Sequence, residues 1–437
     1  MPGKGHLVSS SSTQQNHGNG QQEFQHGFTS SLCIPVTLKN VVGARVLYRQ
    51  ILDLQHIPRI VNCGVLPLCF DSPANWVSTH SEEVVEFGCS SGGQGAGVLQ
   101  QASNQSVRFI SYSPTVGGGE NMARMFFSTD AHGSTAIWKK WVNVPAFHKV
   151  DMLLLCGDLT GKALIPLVKE SDGTYRTHYY GRGWTLTSDE EVVEMENRLA
   201  DSGCYPFRTT PEEVEEMKSS PKIVSKKMDE AMAQRIDEWL SFLVEKVDTK
   251  KVQVMAMPGN DDEFLIDDII KSYEDKGVIW CLDKVVEIGG FETISLAHVN
   301  PTPWDTPREY SEKDMKKKID QLTKKLRNPS KSIFNFHCPP YNTHLDLAPK
   351  LDKTLRPVVT AGTVEMIHVG STAVREAEEQ YQPMMGLHGH IHESYASDKI
   401  GETVVVNPGS EYGEGILRGF IIELTDEGVD RYWKVEG

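Results

Sequence analysis

Five short apolar runs punctuate residues 122–437, and each stops abruptly at carboxylate, amide or imidazole side chains. Met125-Phe126-Phe127 is followed by Asp130-Ala131-His132, and Met152-Leu153-Leu154-Leu155-Cys156 by Gly157-Asp158-Leu159-Thr160-Gly161. Residues 252–257 run into Pro258-Gly259-Asn260-Asp261-Asp262, residues 333–336 into His337-Cys338-Pro339-Pro340, and residues 384–387 into His388-Gly389-His390-Ile391-His392. Short continuous apolar runs bounded by polar turns predict strands buried on both faces. In open layered α/β folds the active site lies outside the carboxyl ends of such strands, which is where these polar residues fall. Further strands are expected at residues 294–299, 403–406 and 419–424, enough for two packed sheets. Residues two apart in extended backbone point the same way. Asp130 with His132, and His390 with His392, are therefore each expected to face one site.

Between the second and third runs lies an insertion, roughly residues 162–250. Tyr175 to Tyr180 and the Gly181-Arg182-Gly183 turn predict a hairpin. Ser188 with Glu191, and Thr210-Pro211 with Glu213, have capping-box spacing and open short acidic helices. Met228, Met232, Ile236, Trp239, Leu240, Leu243 and Val247 recur at three- and four-residue steps, the stripe of a helix that covers a sheet face. A basic helix is expected over residues 311–327, with Lys316, Lys317, Lys318, Lys324, Lys325 and Arg327 on it. A solvated face is the favoured reading of that charge run, ahead of a phosphate-contacting patch.

Residues 1–121 differ in kind. Charged residues are sparse there and dense afterwards, and the first 25 are rich in Ser, Gln, Asn and Gly. Two readings stand: a partly disordered N-terminal extension, or an upstream segment outside the working protein, which would then start at Met122 or Met125. The abruptness of the change favours the second. A formal net charge of −15 repels phosphate backbones and lowers the expectation of a general nucleic-acid binder. The eight cysteines show no C-x-x-C spacing, so neither a zinc ribbon nor a disulfide scaffold is expected. No apolar run reaches the roughly 18–20 residues needed to span a bilayer, and mean hydropathy is −0.35. A cytoplasmic protein with no membrane partner is the expectation.

Hydrolysing a phosphate ester requires neutralised phosphoryl oxygens, a hydroxide at neutral pH and in-line geometry, all of which two adjacent metal ions supply. Asp158 is the natural bridging carboxylate, since it follows a strand directly and Gly157 lets the chain turn beneath it. Asp130 and His132 would serve one ion, Asn260 and His337 the other, with His390 and His392 divided between them. Such a set suits manganese, iron, zinc or similar ions. Taken singly, any of these residues is more often a satisfied core polar group; taken together they are not.

The ordered set Asp130-x-His132, Gly157-Asp158-x-x-Gly161, Gly259-Asn260-x-Asp262, His337 and Gly389-His390-x-His392 resembles the calcineurin-like metallophosphoesterase superfamily, across residues 122–437. The resemblance implies an α/β fold, a four-layer αββα sandwich of two mixed sheets flanked by helices, here with a cap-like insertion. It implies two divalent ions, one held by Asp130, His132, Asp158 and His392, the other by Asp158, Asn260, His337 and His390, with Asp158, Asn260 and His390 as catalytic residues. Attack by a metal-bridging hydroxide on a small phosphoester is the implied reaction. Asn407-Pro408-Gly409-Ser410 resembles the subgroup related to cyclic-nucleotide phosphodiesterases.

One departure stands out: many members carry His where this chain has Asp261. An ionised Asp261 would repel phosphate unless it points away or is protonated, and losing the His hurts poor leaving groups most. Phosphodiesters and activated esters are therefore expected before alkyl monoesters. Arg308 is a candidate phosphate contact. His388 is expected to support the site or pack, and His298, His344 and His368 have no assigned role. A nuclease with the same centre and a non-catalytic partner-binding scaffold are the alternative readings.

Overall fold

The structure is a computed structural model and describes residues 122–437; the readings made of residues 1–121 fall outside the described residues. Two six-stranded mixed sheets form its centre. The first runs in the order β20 (Gly428–Glu436), β19 (Arg418–Thr425), β1 (Ala123–Ser128), β2 (Met152–Cys156), β7 (Gln253–Met257), β8 (Val278–Ile279), with β1, β2, β7 and β8 parallel. The second runs β17 (Ala396–Ile400), β18 (Thr403–Asn407), β16 (Met385–Leu387), β11 (Ile333–Phe336), β10 (Phe291–Leu296), β9 (Val285–Ile288), parallel from β18 to β10.

The uninterrupted apolar runs follow from burial on both faces. Met125 and Phe127 of β1, and Met152, Leu154 and Cys156 of β2, point between the sheets against Ile333, Met385, Leu387 and Val406. The alternate residues Phe126, Leu153 and Leu155 point outward onto Trp138 and Trp141 of α1 (Thr135–His148). Across the second sheet, Phe334 and Phe336 pack on Met315 and Ile319 of α6 (Glu312–Thr323) and on Val374 of α7 (Thr372–Tyr381). The layers are thus helix, sheet, sheet, helix. A buried side chain of this size contributes about 1.5–3 kcal/mol, so this double burial is the main stabilising term.

The segment between β2 and β7 builds its own four-stranded sheet, in the order β5 (Arg182–Leu186), β4 (Tyr175–Tyr179), β3 (Ala163–Lys169), β6 (Cys204–Thr209). The hairpin turn is centred on Tyr180 and Gly181, both at positive φ, one residue earlier than expected. Ser188 and Thr210 cap α2 (Asp189–Asp201) and α3 (Pro211–Ser219) by accepting from the Glu191 and Glu213 N–H groups. Helix α4 (Pro221–Lys246) carries the predicted stripe, yet it covers two surfaces. Met228 and Met232 pack on Leu164 and Tyr205 of the inserted sheet, whereas Ile236, Trp239 and Leu243 pack on the first central sheet. The strand expected at 294–299 lies instead at Phe291–Leu296.

Short two-stranded pairs, β12 (Leu347–Pro349) with β15 (Met366–His368) and β13 (Val359–Thr360) with β14 (Thr363–Val364), follow β11. Helix α5 (Leu265–Lys271) packs beside α4. Among the described residues, no helix is long and apolar enough to cross a membrane.

Candidate metal centre

The loops that leave β1, β2, β7, β11 and β16 bring all seven expected ligands together. Asp130, His132 and His392 form one group and Asp158, His337 and His390 a second, with the ligand atoms of each within 4.8 Å of one another. Asp158 Oδ2 lies 3.6 Å from His132 Nε2 and 3.4 Å from His337 Nε2, so it joins the groups. Asn260 Oδ1 is 3.2 Å from His337 Nε2.

How they converge differs from the sequence expectation. Strand β1 ends at Ser128 and β16 at Leu387, so strand alternation does not aim these side chains. Asp130, His132, Asp158 and His390 instead all have positive φ, at 55°, 42°, 47° and 68°. Left-handed backbone costs a non-glycine residue about 1–3 kcal/mol and clusters at functional sites. Hydrogen bonds hold the strain in place. The Asp130 N–H donates to Gly157 O (3.0 Å), His132 N–H to Asp158 O (2.9 Å) and His390 N–H to Asp130 Oδ2 (3.0 Å). Gly157 is required twice over: its φ is 109°, and a Cβ there would sit 1.9 Å from His337 Nδ1.

Each carboxylate has one oxygen held by the protein and one turned to the shared space. Thr129 Oγ1 and the His390 N–H lie 2.7 and 3.0 Å from Asp130 Oδ2, while the buried Oδ1 has no hydrogen-bond partner. That Oδ1 lies 3.7, 3.8 and 3.4 Å from Nε2 of His132, His337 and His392. Asp158 Oδ1 accepts the Asp261 N–H at 2.9 Å, leaving Oδ2 to the centre. Asn260 Nδ2 donates to Thr306 Oγ1 at 3.1 Å, which fixes the amide with its oxygen toward His337. Buried polar atoms are almost always satisfied. An orphaned carboxylate oxygen ringed by three imidazole nitrogens therefore fits a divalent cation, and the nitrogen and oxygen donor set fits manganese, iron or zinc.

Without ions the groups titrate against one another. Burial opposes charge on His337, but Asp158 and Asp130 outweigh it and hold the imidazole at about 9. Burial pushes the Asp158 carboxyl up to about 6 against the pull of His337. Asp130 is buried too, yet His337, His392 and His132 hold it well below the carboxylate range. Burial presses His390 down to about 3, and burial with the nearby Lys162 cation presses His132 down.

Asp261 is not turned away from the centre. Its carboxylate ion-pairs with the Lys162 ammonium, and although burial opposes charge, Lys162 keeps its pKa low. It also lies within 4.8 Å of His132 and Asp158 ligand atoms. Arg308 is corrected more fully: its side chain is 1% exposed and directed inward. It donates to the Asp262 and Glu263 carbonyls and to Asp267, and its backbone N–H to Asn260 O. It braces the Asn260 loop and has no free face for substrate.

Sequence reading missed several supports. The buried Asp262 carboxylate accepts from the Gly259, Leu159 and Thr160 N–H groups and the Thr160 hydroxyl, tying two ligand loops together. Its place in Gly259-Asn260-x-Asp262 was the available signal. Tyr412, whose ring packs 4.7 Å from His132 and 5.8 Å from His392, offered none. His298 stacks on Tyr310, and His344 and His368 bond Asp398 and Asp346.

The described residues form the expected α/β architecture, two mixed sheets between helices, with the ordered motifs at the strand ends. No family model matches the chain. An uncharacterized protein of Methanocaldococcus jannaschii is 35% identical over 160 residues, 36% of this chain, and the chain spans 64% of that relative's length. Among solved structures, the TT1561 protein of Thermus thermophilus aligns over 72% of this chain and 98% of its own, with 12% identity and TM-score 0.41. An archaeal phosphodiesterase aligns over 72% and 99%, with 12% identity and TM-score 0.30. Thermus thermophilus sulfate thiohydrolase SoxB aligns over 74% and 57%, with 10% identity and TM-score 0.29.

Proposed function

We propose that this chain is a dinuclear metal-dependent phosphoesterase acting on small phosphoesters, with phosphodiesters and activated esters preferred to alkyl monoesters. One observation carries the reading: two groups of ligand atoms are joined through Asp158 Oδ2, and the buried Asp130 Oδ1 among them has no hydrogen-bond partner. Asp130, His132, Asp158 and His392 would hold one divalent ion, and Asp158, Asn260, His337 and His390 the other. Bound there, the ions supply charge neutralisation for the phosphoryl oxygens and an activated water.

The chain's own residues set the rest. The strained loops hold the ligands where they are, so little reorganisation is left for the reaction. Asp261, ionised and paired with Lys162, has no proton to give a leaving oxygen. Substrates whose leaving group needs no proton are therefore favoured. The basic run over residues 316–327, of which α6 holds only the part up to Thr323, does not argue for nucleic acid, since Lys316 and Arg327 pair with Glu376 and Glu292, and Lys318 with Asp283.

The test is a panel of nitrophenyl diester and monoester, cyclic nucleotides, dinucleotides and a short oligonucleotide, each with manganese, iron or zinc. Diester hydrolysis that disappears in Asp158→Asn is the expected outcome. A fully metal-loaded protein inert towards the whole panel would sink the proposal.

A further inference from the structure

Lys162 directly follows the Gly-Asp-x-x-Gly stretch and precedes β3. The loop that presents it is pinned residue by residue. The Leu159 and Thr160 N–H groups donate to Asp262 at 2.9 and 2.8 Å, and the Gly161 N–H to the Tyr205 hydroxyl at 2.8 Å. The position of Lys162 is thus fixed by the same buried carboxylate that aligns the Asn260 loop. Its ammonium pairs with Asp261, whose carboxylate lies within 4.8 Å of His132 and Asp158 ligand atoms. The cation therefore stands at the edge of the centre.

Two features separate it from a buried structural pair. The Lys162 side chain is 25% exposed, against 0% for His132 and His337 and 2% for Asp158, so a ligand arriving from solvent can reach it. An ammonium also has three donors, and Asp261 takes one. Arg308, the cation suggested by sequence, is spent on internal acceptors. A charge-assisted contact to an anionic oxygen is about twice as strong as a neutral one, and a pinned loop loses little entropy in making it.

We propose that Lys162 is a substrate-binding residue of the phosphoesterase, donating to a non-bridging phosphoryl oxygen, and that Asp261 positions its ammonium. This assignment rests on the phosphoesterase reading. It gives Asp261 a place in the site: the pair brings a cation where an unpaired carboxylate would repel phosphate.

Binding of inorganic phosphate by calorimetry, with metal content measured in parallel, tests it on the metal-loaded protein. Lys162→Met should keep the wild-type metal content, weaken phosphate about tenfold or more, and raise KM for a nitrophenyl diester. Lys162→Arg should recover most of the phosphate affinity. Because Lys162→Met leaves Asp261 unpaired, the double variant Lys162→Met/Asp261→Asn is measured as well. Weak phosphate binding in the double variant supports a direct contact. Wild-type phosphate affinity in either Met-containing variant overturns the Lys162 assignment while leaving the phosphoesterase reading standing. A wild-type protein that holds metal yet neither binds phosphate nor hydrolyses any ester overturns both.

Discussion

His132 and His392, from loops 260 residues apart in sequence, face each other with their Nε2 atoms 2.9 Å apart. Two imidazole nitrogens approach this closely when they share a proton or a cation. The buried Asp130 Oδ1 beside them has no hydrogen-bond partner, which favours the cation.

The protein should therefore be stabilised by its ions. Ligand present at a hundred times its Kd contributes about 2.7 kcal/mol per site. For a domain of this size, that raises Tm by roughly 4 °C per ion. Calorimetric melts of chelator-stripped and manganese-loaded protein check this. Identical transitions would argue against resident ions.

Metal uptake should release protons, and affinity should rise with pH. In the metal-free site Asp158 and Asp130 overcome burial to hold His337 at about 9, above its ordinary 6.5. The stabilising proton on His337 is thus fully present below about 6.5 and lost as pH rises through about 9. An ion must displace it. Titrations in buffers of different ionisation enthalpy should show proton release at about pH 7 that fades towards about pH 9; no buffer dependence would contradict the assignment.

Asp262 touches no expected ion position yet ties both ligand loops. Asp262→Ala strands the Gly259, Leu159 and Thr160 N–H groups, each costing about 1–3 kcal/mol when left unsatisfied. Denaturant unfolding should show that loss, and metal affinity should fall about 10–100-fold, as when the partners of metal ligands are removed. A variant with wild-type stability and metal affinity would show that the brace is dispensable.

His388 is the third imidazole of its stretch and the one that turns away. Its Nδ1 lies 2.8 and 3.0 Å from the Phe336 and Cys338 carbonyls and its Nε2 2.9 Å from Glu378, with both side chains fully buried. His388→Ala leaves a buried carboxylate without its partner and should cost about 3–5 kcal/mol. The double variant with Glu378→Ala should lose less than the sum of the single ones. Strict additivity in a double-mutant cycle would exclude the coupling.

Five apolar runs ending in Asp, Asn and His made the central strands and the candidate ligands readable in sequence, because burial on both faces leaves an uninterrupted pattern; the order of the strands within each sheet was not readable. The turns after those runs were not readable. Nothing in Asp130-Ala131-His132 announces left-handed backbone at both ligands, since the hydrogen bonds that hold it come from Gly157 and Asp158 in the loop after β2. Lys162 and Tyr412 escaped for the same reason: a lysine after a glycine and a tyrosine in a short loop acquire meaning only from their spatial neighbours. Arg308 misled in the opposite sense, because its charge is visible in sequence and its burial is not.

The central claim is a pair of ions joined through Asp158, and the electron paramagnetic resonance spectrum of manganese-loaded protein addresses it most directly. Ions about 3.5–4 Å apart are magnetically coupled. The account predicts a coupled spectrum that Asp158→Asn abolishes. A six-line spectrum of isolated manganese in the fully loaded wild-type protein would contradict it.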